Sequence, residues 1–223
     1  MKNKRIKEKL RPRGRVELWA TEKSKPVLEL FDPIPTMPGF PKVHLRHNLD
    51  FSKCSVKDHF VKENIVVNIG KDKVITSLST GFLNVIARMS IGDRGTIPSD
   101  PTVPKVPEAT ATALFNEVYR DDIDATILDV GTPTIHEVTF IKTFSAVVIP
   151  ITSFSNQASP VVNEVGLITA DLLSGTPLPR APVAAPNPPE ADEELFALRT
   201  FKSVPFEAAN EISVTIRYTI FIE

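Results

Sequence analysis

Four side chains able to bind a soft divalent cation lie close together in the chain: His44, His47, Cys54 and His59. Neutral imidazole and thiolate both ligate Zn²⁺, but the spacing matches no standard finger, and on a strand His44 and His47 project to opposite faces. They are expected to be surface or interface side chains, with no metal. A second set, Asp93, Asp100, Asp121, Asp122 and Asp124, offers hard oxygen ligands of the kind Ca²⁺ takes. The EF-hand order and its central glycine are missing, so a solvated loop is the expectation. Glu117 and Arg120 stand three apart, close enough to pair within a helical turn, and are read as a structural clasp. A catalytic Glu would need a second carboxyl or a histidine beside it in a cleft. There is no P-loop, dinucleotide glycine fingerprint, G-x-S-x-G elbow or H-E-x-x-H pair. The chain is therefore expected to be no enzyme, with no catalytic, cofactor-binding or metal-binding residues.

Three segments point to contact instead of catalysis. Residues 1–15 hold Lys2, Lys4, Arg5, Lys7, Lys9, Arg11, Arg13 and Arg15 against the lone acid Glu8. Since the whole chain carries a formal charge of only −1, the remainder is correspondingly acidic. Such a run is a solvated tail, a phosphate binder or an arm docked on an acidic protein surface; the docked arm is the expectation. Residues 176–189 contain six prolines, with Pro177, Pro179, Pro182 and Pro186 taken as contact positions, and are expected to run as an extended strap. Asp32 to Pro41, with four prolines around Gly39 and Phe40, closes an N-terminal hairpin.

These segments need a scaffold, and the composition indicates its type. The 223 residues are 42% hydrophobic and 24% charged, suited to one globular domain with appendages. Twenty prolines interrupt helices while Val, Ile, Thr and Phe fill the intervals. From Ile212 to Ile222 apolar and polar residues alternate, which predicts a strand with one core face. Further strands are expected at 15–20, 27–31, 82–91, 124–130, 135–144, 146–151 and 164–172, with Val43 to Val67 forming one or two more. Short helices are expected at Lys71 to Ser79, after a Gly70 turn, and at Glu108 to Asn116. The fold expected is mainly β, a jelly-roll-like β-sandwich with two short helices. Its parts are a basic arm (1–15), a hairpin or insertion (16–58) and a sandwich domain (59–223) that includes the Pro-rich strap. The single cysteine excludes an intrachain disulfide, no apolar run follows Met1, and no stretch has the length of a membrane span.

Three motifs carry a family resemblance: Asn64-Ile-Val-Val-Asn-Ile-Gly-Lys71, Ile86-Ala-Arg-Met-Ser-Ile-Gly-Asp93 and Thr112-Ala-Leu-Phe-Asn-Glu-Val-Tyr-Arg120. Their order and separation resemble a family of tailed-bacteriophage virion structural proteins, over roughly the middle third of the chain. An insertion at about Asp32 to Asp58 departs from the usual pattern. The resemblance implies a neck, collar, tail or fibre-adaptor subunit that forms rings or trimers, contacts other virion proteins and is assembled in the host cytoplasm. No membrane is involved, and nucleic acid enters only through the basic arm. Two alternatives stay open: a capsid decoration or head-fibre protein, and a carbohydrate- or host-receptor-binding module.

Overall fold

The alternation at the end of the chain does form a strand, and it lies near the middle of a large, mostly antiparallel array. The computed structural model describes residues 12–35, 42–68, 70–72, 84–132, 135–171, 180–184 and 191–222. The protein is mainly β. Its strands are β1 (Pro12–Glu22), β2 (Val27–Ile34), β3 (Val43–Asp50), β4 (Ser55–Val66), β5 (Asn84–Gly92), β6 (Thr96–Ile97), β7 (Asp100–Pro104), β8 (Glu117–Asp122), β9 (Ala125–Thr132), β10 (Ile135–Ser145), β11 (Val161–Asp171), β12 (Val183–Ala184), β13 (Glu193–Pro205) and β14 (Ser213–Ile222). Twelve of them pair in the order β12-β8-β5-β11-β13-β4-β1-β14-β10-β9-β3-β2, while β6 and β7 form a separate hairpin.

The array is consistent with a β-sandwich whose two layers share β4. Along most of its length β4 pairs with β1, and its last residues, Ile65 and Val66, pair with Leu198 and Ala197 of β13. One continuous core lies between the layers. Val16, Leu18, Phe144, Val214, Ile216 and Tyr218 enter it from one side, and Met89, Ile91, Val165, Leu167, Phe201 and Val204 from the other. Burial of so many large apolar side chains in one cluster is what holds the layers together.

Parts of both outer faces are covered as well, which the alternation does not predict. Thr215 and Thr219, on the polar face of β14, are buried. They pair with Thr143 and Thr139 of β10 at 3.0 and 2.9 Å. The β2–β3 hairpin explains this, because Leu28 and Leu30 pack against Ala125, Ile127 and Ile141 on that side. On the opposite layer, Leu114 joins Val67, Ile168, Leu195 and Leu198 in a second cluster.

Several expectations are corrected. Residues 108–116 form no helix: they run as a loop with a turn at 109–110, because Glu164 captures the N–H groups of Phe115 and Asn116. Glu117 to Arg120 is strand β8 and no helical turn. Residues 146–151 are not a strand: a turn at 146–148 leads to a short 3-10 turn, Ile151–Ser153. The helix expected from Lys71 starts earlier, with Asn68 and Gly70 to Asp72 helical, and its continuation lies outside the described residues. Val43 to Val67 makes two strands. Thirteen-residue β13 was not expected at all, since its Leu195-Phe196-Ala197-Leu198 run is buried on both faces and shows no alternation.

Candidate docking surfaces

The register of the strands sorts the loops into two ends. β1 begins beside the end of β4, since Gly14 pairs with Asn64, and β13 begins beside the same end. Asp171, closing β11, and Glu193, opening β13, therefore lie at the end where Pro12 opens β1, so the basic segment and the Pro-rich strap both leave from it. The opposite end carries the β10–β11 and β13–β14 connections and the roots of the loop from Asp93 to Asn116.

Lys2, Lys4, Arg5, Lys7, Lys9, Arg11, Pro177, Pro179 and Pro186 lie outside the described residues. Arg13 and Arg15 are exposed, and they belong to β1, where they pair with Phe221 and Thr219 of β14. Pro182 is exposed within the central part of the strap. That part is fastened to its own chain: Val183 and Ala184 pair with Arg120 and Tyr119, adding β12 to the free edge of β8.

What fastens it is a buried charge network that sequence reasoning did not find. Three guanidinium groups, Arg88 from β5, Arg120 from β8 and Arg180 from the strap, converge on Glu193. Arg88 Nη1 donates to Glu193 Oε1 at 2.9 Å and Arg120 Nη1 to Oε2 at 2.8 Å. Arg180 Nη1 reaches Oε1 at 3.2 Å, while its Nη2 donates to Asp192 at 2.5 Å. Backbone joins in: Arg88 Nη2 donates to the Ala181 carbonyl at 2.6 Å, and the Arg180 N–H donates to Asp122 at 2.7 Å. Buried charges persist only when paired and hydrogen-bonded in this way. Arg120 Nε also lies 3.2 Å from Glu117 Oε1, at the rim of this larger network and within a strand, not a helical turn. Burial pushes the Glu117 carboxyl up against the opposing pull of Arg120, and burial also raises Asp122 against the Arg180 N–H and Arg88. The available signal was Arg88 itself, a charge in the otherwise apolar or small run Val85 to Ile91.

A second polar hub ties down the opposite end. Glu164 of β11 accepts the N–H groups of Phe115 at 2.8 Å, Asn116 at 2.9 Å and Arg94 at 3.2 Å. Its pKa is raised by burial, and the three N–H donors work against that shift. Asp93 accepts from the Asn116 side chain at 2.7 Å and from the Ser155 backbone at 2.5 Å. Two of the motif segments thus meet here. A Cβ on Gly92 would lie 2.4 Å from the Asn116 carbonyl oxygen and 2.5 Å from Glu164 Oε1, so that glycine is required by contact. Gly70 is constrained likewise, 2.2 Å from the Phe196 carbonyl at its would-be Cβ.

The remaining candidate ligands have other work. Asp121 and Asp124, expected in a solvated loop, hold the buried Lys142 at 2.6 and 2.9 Å. Burial opposes the charge of Lys142, but Asp124 and Asp121 together raise its pKa. Asp100 accepts from Thr102. His59 contacts Glu17 at 3.0 Å and stacks on Trp19, its ring centroid 5.2 Å away. Arg217 also lies over Trp19 and pairs with Glu17, while Phe51 tilts against the same ring. Cys54 Sγ contacts the Phe51 carbonyl at 3.4 Å, and burial raises its thiol. His47 is depressed by burial and by Arg217. Among the described residues, no group of three or more His, Cys, Asp or Glu is placed to hold a metal ion, and no helix is long and apolar enough to cross a membrane.

No family model matches the chain, and neither does any curated protein or solved structure.

Proposed function

We propose that this chain is a non-enzymatic structural component of a tailed-phage virion, a neck, collar or fibre-adaptor subunit that docks on its neighbours through extended segments. The observation that carries the reading is the common exit of the basic segment and the Pro-rich strap from one end of a rigid β scaffold. Contacts made by extended chain add interface without enlarging the core, and repetition around a symmetry axis multiplies weak contacts into avidity. The central carboxylates of the two hubs, Glu193 and Glu164, are committed to guanidinium groups and to backbone N–H groups respectively, an arrangement suited to holding a shape. The jelly-roll-like connectivity belongs to the same reading. In its support, β1 and β14 pair side by side in the array and β4 carries the chain between layers.

The carbohydrate-binding alternative draws no support from the tryptophan and tyrosine side chains. Trp19 is engaged by His59 and Arg217, and Tyr119 and Tyr218 are buried. The test is quantitative mass spectrometry of density-purified particles of the phage that encodes the chain. Peptides present at a fixed multiple of a symmetric ring are the expected result; absence from particles that contain all other virion proteins would overturn the reading.

A further inference from the structure

Strand β4 is paired along one edge and open along most of the other. From Ser55 to Asn64 it pairs with β1, whereas β13 meets its other edge only at Ile65 and Val66. Among the described residues, nothing else pairs with that second edge between Ser55 and Asn64. An unpaired edge of this length is a template for another strand. The two ends of the array are blunted instead: β12 is two residues long, and β2 is interrupted by Asp32, at φ 54°, and by Pro33.

The fork where β4 and β13 part is lined by cations without partners. Arg199 is the first β13 residue past the last pair, and it alternates with Ala197 and Phe201, which face the core. Its Nε is buried with no hydrogen-bond partner, and it makes no ion pair among the described residues. Burial lowers its pKa, opposed only through space by Tyr218 and Glu63. Lys62 shares a face of β4 with Phe60, whose ring centroid lies 4.9 Å from that of Phe201 across the fork. Lys62 too has no ion pair among the described residues, while Lys57 and His59 are held by Glu22 and Glu17. A half-buried guanidinium left unsatisfied is costly, and a carboxylate brought from outside removes that cost.

This chain does not supply the missing strand. If two copies paired their full edges antiparallel, Lys57 would lie opposite Lys62 twice over. Of the longer segments outside the described residues, 1–11 carries six Lys or Arg and would bring like charge to Lys62 and Arg199. Residues 36–41, 73–83 and 172–179 hold no acidic side chain, and 185–190 holds three prolines, which cannot donate to a ladder. We propose that the free edge of β4 receives an extended acidic segment of another protein, added as a strand with a carboxylate against Arg199 and Lys62. Such a segment would bind whichever assembly the chain serves.

The test is hydrogen exchange of the full-length protein with a capped synthetic peptide of alternating Val and Glu. Slower amide exchange from Ser55 to Glu63 is expected, because main-chain hydrogen bonds carry this mode of binding. The same peptide with Lys in place of Glu should bind on the order of tenfold more weakly. Arg199→Gln should weaken binding of the Glu peptide about tenfold, and Lys62→Gln, at an exposed site, about threefold with an unchanged melting temperature. No protection at Ser55 to Glu63, or equal affinity for the two peptides, overturns the proposal. So does an affinity that neither substitution changes. Protection of the same amides in the protein alone, rising with its concentration, would make the edge a contact between copies and overturn it as well.

Discussion

Glu193 is the residue on which the charged interior depends, because three buried guanidinium groups share its two oxygens. Glu193→Gln keeps the shape and removes the charge that the three cations share, leaving Arg88, Arg120 and Arg180 only Asp122, Glu117 and Asp192 as anionic partners among the described residues. It is expected to lower unfolding stability by about 3–5 kcal/mol, measured by urea denaturation. A change below about 1 kcal/mol would show that the network contributes little. Glu117 and His47 should tilt the pH dependence in opposite senses. The Glu117 pKa is raised above its ordinary 4.5, so its contribution is fully present below that value and is lost as pH rises through the folded-state value. For His47 it is depressed below 6.5, so its contribution is present above that value and is lost as pH falls through the folded-state value. Glu117→Gln should make the slope of stability against pH more positive just above pH 4.5, and His47→Gln should make it less positive just below pH 6.5. Urea midpoints across that range measure both.

At the scale of elements, the loop from Asp93 to Asn116 is held by the Glu164 carboxylate and by close backbone approach at Gly92, beside the burial of Leu114. Gly92→Ala places a methyl against the Asn116 carbonyl and Glu164, and is expected to cost about 1–3 kcal/mol in thermal or urea unfolding. An unchanged midpoint would mean that the loop shifts freely. How much was readable in the chain follows from the same physics. Strands with one apolar face, β1, β2, β5, β10 and β14, are legible because alternation survives in them. β13 is hidden because its Leu195-Phe196-Ala197-Leu198 run shows no alternation. Residues 108–116 look helical locally, and what prevents the helix is Glu164, 49 residues from Phe115 in sequence. The spacing of Glu117 and Arg120 suggests a pair only in a helical turn, which strand β8 is not, and the convergence of Arg88, Arg180 and Glu193 could not be read at all, since sequence separations of up to 105 residues carry no periodic signal.

At the scale of the whole molecule, the β scaffold carries the roots of the basic segment and of the Pro-rich strap at one end and the exposed apolar residues Val147, Val148 and Ile151 at the other. Deleting residues 1–11, which leaves β1 intact from Pro12, should preserve the fold while weakening association with particles and flattening its salt dependence. Binding unchanged in both respects would rule the arm out as a docking element. The claim that organises all of this is that the chain is built into the virion near the tail junction. Immunogold electron microscopy of intact particles, with an antibody against the purified protein, tests it most directly. Gold concentrated at the neck or the attached tail is the expected result; gold spread over the shell, or particles left unlabelled after mild disruption, would rule out that location.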